Sequence, residues 1–329
     1  MKIVQIGIGG WGKNHARILS SKGILTAICE SDHDKGKDFS EKFSVKNYST
    51  VDELLEREIF DAAFVVTPTS THFEIVSKLL QAKKHVFVEK PMTYKSEEGE
   101  KLIEIAIKNK VILTCGYIER FNPAVESVKK IVKEKKYGEL VMLEFHRENR
   151  MPLHIKDVGI IYDTSVHDID TANWLFDEMP NVIFARAGQI KHEHEDFTSI
   201  MLGYSNNKIA IITSNWITPK KLRKFNAVCT EAIISSDFIS QEIIIENQDN
   251  SEIIHNEKKE PLLNEIESFI AAIEGKSKHI VTAEQSVNVT KIAEAALLSS
   301  NDIGHQLSFD KMVSACCASR SGTKTWSWK

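Results

Sequence analysis

Cysteines are few, and none is arranged as a metal-binding or disulfide-forming motif. The 329-residue chain holds five. Cys29, Cys115 and Cys229 lie within or at the end of apolar runs, and Cys316 and Cys317 are adjacent near the end of the sequence. Because structural zinc sites and disulfide frameworks need regularly spaced cysteines, we expect neither, and no bound metal.

A surplus of one charge and long apolar runs are also missing. The chain has 42 Lys and Arg residues and 46 Asp and Glu residues, which gives a net charge of -4. Proteins that bind nucleic acid or anionic lipid usually carry a surplus of positive charge. No run approaches the ~18–20 apolar residues of a membrane span. Residues 1–7 do not resemble a signal peptide. We therefore expect a cytoplasmic protein without a nucleic-acid or membrane partner.

Apolar runs in the first third of the chain alternate with helical stretches. Hydrophobic residues make up 42% of the sequence, enough for real cores, and the length suggests two domains. Short, nearly continuous runs are typical of strands buried on both faces, and five occur: Ile3–Ile6, Ile24–Cys29, Ala62–Val66, His85–Val88 and Val111–Cys115. The alternation predicts an α/β fold with a doubly wound parallel sheet over residues 1–119.

The pattern changes after about residue 120. Helices are predicted from Pro123, from Pro261 to a stop at Gly275, and over Ala283–Ser299. Runs with period-two alternation predict an antiparallel or mixed sheet in a second domain over residues 120–309; they are Leu140–Glu148, Asn181–Ile190, Thr198–Tyr204, Lys208–Trp216, Phe225–Thr230 and Glu242–Glu246. We expect a disordered tail at 310–329.

A glycine motif follows the first strand and precedes a helix. Its sequence is Gly7-Ile8-Gly9-Gly10-Trp11-Gly12. The first glycine permits a tight turn, the second lets the backbone approach a pyrophosphate, and the last lets helix and strand pack closely. Free N–H groups at the helix N terminus attract the anion. These six residues are predicted to bind a dinucleotide.

Glu30 follows Gly12 by 18 residues, at the end of the second strand. A carboxylate there accepts hydrogen bonds from the ribose hydroxyls of NAD and repels the 2′-phosphate of NADP. No arginine follows, since the next residues are Ser31 and Asp32. The alternative is a surface carboxylate that caps the next helix. We predict NAD as the cofactor.

Two further clusters carry acid–base residues. Glu89-Lys90-Pro91 follows a strand, so Lys90 lies at the sheet edge where doubly wound folds bind ligands and could stabilise an alkoxide. Asp163 and His167 are four residues apart and would share a helix face. His167 is predicted to take a hydroxyl proton, with Asp163 orienting the imidazole. A surface ion pair or a metal pair is the alternative.

Five motifs in chain order resemble the Gfo/Idh/MocA oxidoreductases, the glucose–fructose oxidoreductase and inositol dehydrogenase family. Besides the glycine motif they are Thr67-Pro68-Thr69-Ser70-Thr71-His72, Glu89-Lys90-Pro91, Arg120-Phe121-Asn122-Pro123 and Asp163-x-x-x-His167. The resemblance covers roughly residues 1–309. It implies an NAD(P)-binding Rossmann domain, a second α/β domain with a large open, mostly antiparallel sheet, and a homodimer or homotetramer.

The same resemblance implies roles for individual residues. Lys90, Asp163 and His167 match the catalytic residues of the family. Residues implied to line the cofactor are Thr67, Pro68, His72, Glu89 and Lys90.

A narrower resemblance is to enzymes that oxidise C3 of UDP-N-acetylhexosamines and their uronates. It rests on residues 116–123, 150–159 and 215–221, although Tyr117 stands where many relatives carry His. It implies substrate contacts from Tyr117, Arg120, Asn122, Arg150, Lys156 and Lys220. A wider basic set that adds Arg147, Lys221 and Arg223 suits a diphosphate.

The favoured function is NAD-dependent oxidation of the C3 hydroxyl of a UDP-N-acetylhexosamine, with UDP-N-acetylglucosamine first, to the 3-keto sugar. Three alternatives stay open: dehydrogenation of a free sugar, polyol or inositol, an NAD-dependent glycosidase, and a non-catalytic NAD sensor. A sensor needs the glycines but not Lys90, Asp163 and His167, so their joint presence favours an enzyme.

Overall fold

A six-stranded parallel sheet forms the first part of the chain. The structure is a computed structural model that describes residues 1–152 and 155–301; the predicted tail at 310–329 lies outside these ranges. The strands are β1 Ile3–Ile6, β2 Leu25–Cys29, β3 Lys46–Tyr48, β4 Ala62–Val65, β5 His85–Glu89 and β6 Leu113–Gly116. Their order is β3-β2-β1-β4-β5-β6, which confirms the doubly wound fold.

Helices connect these strands and bring the carboxyl ends of all six to one edge of the sheet. The helices are α1 Gly12–Ser21, α2 His33–Phe43, α3 Val51–Arg57, α4 His72–Gln81 and α5 Ser96–Asn109. Local signals start two of them: the Asp32 carboxylate accepts from Lys35 N at the start of α2, and the Thr50 hydroxyl accepts from Glu53 N at the start of α3.

An eight-stranded open sheet forms the second part. Its strands are β7 Leu140–Glu148, β8 Val182–Gly188, β9 Phe197–Gly203, β10 Ile209–Asn215, β11 Leu222–Cys229, β12 Ile233–Asp237, β13 Glu242–Glu246 and β14 Ser251–His255. The order is β14-β13-β12-β11-β7-β10-β9-β8, antiparallel except for the parallel pair β7–β10. The predicted mostly antiparallel sheet is confirmed.

Helices cover one face of this sheet. They are α6 Pro123–Lys133, α7 Val166–Phe176 and α9 Ala283–Asn301, with a π-helical turn at Ile161–Ser165 just before α7. Proline at the first helical position and the Asn122 carboxamide, which accepts from Ala124 N, start α6. The opposite face keeps an alternating row of exposed side chains.

Helix α8, Pro261–Ile273, returns to the first sheet, although it follows the second in the chain. Its Leu262, Ile266 and Phe269 join the same core as Phe64 and Phe87. The Phe269 ring meets Phe64 edge-on at 5.5 Å between centroids. This return binds the two sheets into one unit. In the described ranges, none of the helices has the length and apolarity needed to cross a bilayer.

Candidate active site

The glycine loop between β1 and α1 has the shape of a diphosphate cradle. Gly7 has φ +84°, and a Cβ there would lie 2.5 Å from the Val66 carbonyl oxygen; at Gly12 it would lie 2.6 Å from the Gly7 carbonyl oxygen. A Cβ at Gly9 would meet no atom within 4 Å, so the backbone there faces open space. No side chain caps α1, and its first turn has no acidic residue. The loop therefore fits the diphosphate of a dinucleotide.

Glu30 stands beside this loop at the end of β2. Its Oε2 accepts from Ile8 N at 3.2 Å and its Oε1 accepts from Asp32 N at 3.1 Å. Asp32, not Glu30, caps α2. Because two backbone groups hold the carboxylate next to the cradle, it fits the ribose hydroxyls of NAD.

Glu89, at the end of β5, holds three groups around the loop. Its Oε1 accepts from Trp11 Nε1 at 2.8 Å and lies 2.7 Å from His15 Nε2, and its Oε2 accepts from Lys90 N at 3.1 Å. Burial alone would raise the pKa of Glu89, but the hydrogen bond and charge of His15 and the charge of Lys90 hold it below its ordinary value. The structure places Glu89 behind the loop, where it positions the exposed Trp11 ring and the Lys90 backbone.

His72, at the start of α4, ties two loops together. Its Nδ1 lies 2.9 Å from the Pro91 carbonyl oxygen and its Nε2 lies 2.9 Å from the Thr67 carbonyl oxygen. Burial lowers its pKa. The resemblance predicts a cofactor contact for His72, but the ring is buried and its contacts are to backbone. Thr67 and Pro68 lie on the loop that His72 holds against the glycine motif, consistent with their predicted place.

Lys90 projects from the carboxyl end of β5 and pairs with Asp163 across the two parts of the chain. Its Nζ donates to Asp163 Oδ1 at 2.8 Å and also to the Asp163 carbonyl oxygen. The side chains are 15% and 21% exposed. Burial would raise the pKa of Asp163, but the charge and hydrogen bond of Lys90 outweigh it and hold the pKa below its ordinary value. An ammonium is thus fixed at the ligand-binding edge of the first sheet.

His167 lies in the first turn of α7. Burial lowers its pKa well below the ordinary value, and the charges of Lys90, Arg147 and Arg223 act in the same direction. The ring is therefore neutral at physiological pH and can accept a proton. Its Nδ1 has no hydrogen-bond partner among the described residues.

The predicted contact between Asp163 and His167 is wrong. The Asp163 carboxylate binds Lys90 and accepts from the Thr164 hydroxyl at 3.0 Å. Asp163 lies in the π-helical turn before α7, and its carboxylate is taken by Lys90 from the first sheet. Asp163 therefore orients Lys90 rather than the imidazole. In the described ranges no group of three or more His, Cys, Asp or Glu could hold a metal ion.

Three of the residues predicted to contact substrate are buried in the structure. Arg120 makes a two-pronged ion pair with Asp170, with bonds of 2.6 and 2.8 Å, and donates to Gln285 Oε1 at 2.8 Å. Asn122 caps α6 and donates to the Phe238 carbonyl oxygen at 3.0 Å. The predicted substrate role is wrong for both residues, because their polar groups form hydrogen bonds between elements of the fold.

Tyr117 is the third buried residue of this set, and it lies behind the site. It is fully buried, and its ring stands edge-on to the His167 ring at 6.4 Å between centroids. Burial raises the pKa of Tyr117 well above its ordinary value. It supports the imidazole from inside and does not present its hydroxyl to the cleft.

The remaining substrate candidates are exposed. Arg150 follows β7 and Lys220 follows β10, and these two strands are parallel neighbours that end at the same edge as the π-helical turn. Trp216, just after β10, donates from Nε1 to the Thr164 hydroxyl at 3.2 Å and links that edge to the turn. Lys156 is exposed in the loop before the turn. A substrate role for Arg150, Lys156 and Lys220 stays a prediction.

Arg147 differs from these exposed cations. It is buried, and it donates three bonds to the Asp168 carboxylate at 2.7 to 3.0 Å and one to Glu119 Oε1 at 2.8 Å. Its place in the predicted diphosphate-binding set is wrong, because its donors are used internally. Arg223 lies opposite Arg147 on β11. The buried Phe225, Ala227 and Cys229 have the same strand parity as Arg223, a signal that could have placed Arg223 on the inner face from sequence.

Comparisons with known proteins agree with this geometry. Residues 1–117 match the "Oxidoreductase family, NAD-binding Rossmann fold" and residues 125–235 match the "GFO/IDH/MocA C-terminal domain". The UDP-N-acetylglucosamine 3-dehydrogenase of Acidithiobacillus ferrooxidans is 25% identical over 83% of this chain and 88% of its own length. The inositol 2-dehydrogenase of Rhizobium meliloti is 26% identical over 89% of this chain and 95% of its own.

Solved structures show the same fold. That of the Acidithiobacillus ferrooxidans enzyme has a TM-score of 0.84 at 24% identity, over 91% of this chain and 97% of the other. An oxidoreductase from Agrobacterium radiobacter, in complex with NAD⁺, L-tartaric acid and magnesium, has a TM-score of 0.84 at 16% identity, over 92% and 96%. The chain therefore belongs to the Gfo/Idh/MocA family of NAD-binding oxidoreductases.

Proposed function

We propose that this oxidoreductase removes hydride from C3 of a UDP-N-acetylhexosamine, with UDP-N-acetylglucosamine first, and forms the 3-keto sugar. The observation that carries the chemistry is the Lys90–Asp163 pair at the ligand-binding sheet edge, together with a half-buried, neutral His167 in the first turn of α7. Bound NAD supplies the hydride acceptor, the C4 position of the nicotinamide. Residues of the protein itself perform every other part of the reaction.

Lys90 serves the substrate hydroxyl. Its ammonium donates to the oxygen and stabilises the negative charge that develops as the O–H and C–H bonds break. Asp163 holds Nζ through both its carboxylate and its carbonyl oxygen, which fixes the direction of the remaining N–H. Glu89 and His72 hold the backbone around Lys90, so the lysine is restrained from both ends.

His167 takes the hydroxyl proton. The alcohol loses a hydride, for which bound NAD would be the acceptor, and a proton, so its C–O bond becomes C=O and the imidazole becomes imidazolium. Burial and the cations around the ring keep it neutral before the reaction. A neutral ring is the form that accepts a proton.

The nucleotide-sugar substrate is supported by one relative and by the cations of the cleft edge. The Acidithiobacillus ferrooxidans relative is named for this reaction and aligns over most of both chains. Arg150, Lys156 and Lys220 are exposed near the π-helical turn and are candidates to bind the diphosphate.

A second candidate is a free polyol such as an inositol, oxidised by the same groups. It is favoured by the Rhizobium meliloti relative, which aligns over a larger share of both chains. A free polyol has no diphosphate. Its oxidation would therefore not need Arg150 or Lys220, whereas oxidation of a nucleotide sugar would.

The test is a substrate panel with NAD, scored by NADH absorbance and mass spectrometry. UDP-N-acetylglucosamine deuterated at C3 should yield labelled NADH and an unlabelled 3-keto sugar. The same sugar deuterated at C4 is the matched control and should keep its label. NADH formed while the C3 label stays on the sugar would refute C3 oxidation. Turnover of myo-inositol but of no UDP-sugar would establish the second candidate.

We also propose that the exposed face of the open sheet joins copies of the chain into a homodimer or homotetramer. Cross-strand pairing places Phe184, Met201 and Ile211 side by side at one end of that face and Ile244 and Ile253 at the other, with Glu144, Asn226 and Ser235 between the two groups. Exposed apolar groups of this kind are typical of an interface. Sedimentation of the wild type and of Phe184→Asp should show an oligomer and a smaller species; a monomeric wild type would contradict the proposal.

A further inference from the structure

Two arginines face each other on the inner side of the open sheet. Arg223 on β11 is the direct register partner of Arg147 on β7. Like charges directly opposite each other on neighbouring strands destabilise a sheet. Arg147 is fully neutralised by Asp168 and Glu119. These two carboxylates are therefore not free to neutralise Arg223.

Arg223 has no close partner in the described ranges. Its nearest carboxylate oxygen is Glu119 Oε1 at 3.8 Å, beyond hydrogen-bond distance, and Arg147 already binds that oxygen at 2.8 Å. No side-chain hydrogen bond of Arg223 occurs among the described residues. The side chain is 34% exposed, so part of the guanidinium is accessible to a bound molecule.

The charge of Arg223 acts on the reacting groups. Its charge helps to lower the pKa values of both Asp163 and His167. Burial and the charge of Arg147 lower its own pKa. The geometry agrees with these effects, since Arg223 pairs in register with Arg147, and Arg147 binds Asp168, the residue that follows His167 in the chain. An anionic group bound beside Arg223 would reduce the repulsion between Arg223 and Arg147.

Lys221 adds to the same positive field. It lies two residues before Arg223, and burial, followed by the charge of Arg223, lowers the pKa of Lys221. The cleft thus holds four cations, Lys90, Arg147, Lys221 and Arg223, against three carboxylates, Glu119, Asp163 and Asp168. One positive charge is left without a carboxylate from these groups.

We propose that Arg223, supported by Lys221, binds an anionic oxygen group of the substrate, a carboxylate or a phosphate, and so selects charged over uncharged sugars. This inference rests on the proposed function, since it names the part of the substrate that the second sheet recognises. A guanidinium matches both groups, because its parallel N–H donors pair with two oxygens. Sugar uronates offer the carboxylate beside the ring, and nucleotide sugars offer the diphosphate.

The test compares wild type, Arg223→Gln and Arg223→Lys as NAD-loaded enzyme. The substrates are UDP-N-acetylglucosamine, its C6 uronate and free N-acetylglucosamine. For the charged substrates, kcat/KM should fall about tenfold or more in Arg223→Gln, as expected for a lost charge-assisted bond, and less in Arg223→Lys. Any loss for the free sugar should be clearly smaller, because the effect of the Arg223 charge on His167 is common to every substrate, whereas the lost bond affects only the charged ones. Lys224→Gln, the exposed neighbour on the opposite face of β11, is the matched control and should behave as wild type.

The pattern of loss distinguishes the source of the anion. A loss confined to the uronate assigns the carboxylate, and an equal loss on both UDP-sugars assigns the diphosphate. A similar loss on charged and free sugars, or no loss on any, overturns the proposal. If wild type reduces no NAD with UDP-sugars, the proposed function has failed, and binding of glucuronate and of UDP by calorimetry then decides on Arg223 by itself. Equal binding to wild type and Arg223→Gln, or no binding to either, overturns the anion site.

Discussion

Replacing Lys90 by Met removes the ammonium and keeps the length of the side chain. In wild type that ammonium neutralises Asp163, and in the proposed reaction it also binds the substrate hydroxyl, so its loss has two separable effects. Turnover should fall about 10²–10⁴-fold, the range for a positioned acid–base group. The affinity for NAD should stay within a few-fold, because the cradle is built by Gly7, Gly9 and Gly12.

The stability effect follows from the burial of the pair. Exposed ion pairs contribute about 0–1 kcal/mol and breaking fully buried ones costs about 3–5 kcal/mol. The Lys90 and Asp163 side chains are 15% and 21% exposed, which places the expected loss of unfolding free energy at about 1–3 kcal/mol. The depressed pKa of Asp163 contributes stability above the ordinary carboxyl pKa and loses it as pH falls through the folded value, so the loss in Lys90→Met should shrink in acid.

The double variant Lys90→Met/Asp163→Asn separates the two effects. Removing the unpaired carboxylate should restore most of the unfolding free energy, measured by urea denaturation, but none of the turnover. The acid limb of kcat/KM should move to higher pH in Lys90→Met, because Lys90 helps to keep the pKa of His167 low. Turnover that survives in Lys90→Met, or returns in the double variant, would refute the catalytic role.

Three further outcomes follow from named contacts. Glu30→Ser should weaken NAD about tenfold or more and reduce the preference over NADP, measured by fluorescence titration; equal wild-type affinities for both cofactors would contradict the role of Glu30. Arg120→Met should cost about 3–5 kcal/mol of unfolding free energy by stranding Asp170, with an unchanged KM in the folded enzyme; a raised KM would return Arg120 to the substrate site. Burial raises the pKa of Glu265 well above its ordinary value, so the native state keeps a proton that the unfolded chain releases above about pH 4.3, and stability falls as pH rises. The urea midpoint of Glu265→Gln should therefore rise relative to that of wild type between pH 5 and 8. A difference between the two midpoints that does not change with pH would contradict the raised pKa of Glu265.

Local sequence determined the first sheet and the cofactor cradle. The turn at Gly7 and the close approach at Gly12 depend on residues a few positions apart, so the glycine pattern is sufficient to predict them. Buried strands such as β1 and β4 are continuous apolar runs and are visible for the same reason. Strand β3 was invisible because it is only three residues, Lys46–Tyr48, with little apolar content. Strands β12 and β14 carry polar residues among their isoleucines and were missed likewise.

Tertiary structure alone decided the partners of the polar side chains. Asp163 lies 73 residues from Lys90 and four from His167, yet it binds Lys90, because the packing of the two sheets brings the Lys90 ammonium to its carboxylate. Arg120 and Arg223 are equally basic in sequence, but Arg120 is enclosed with Asp170, whereas Arg223 is one-third exposed and has no carboxylate within hydrogen-bond distance in the described ranges. Residue type determines what a side chain can donate or accept. Which distant group lies within 3 Å depends on how the two sheets pack, and no local pattern carries that information.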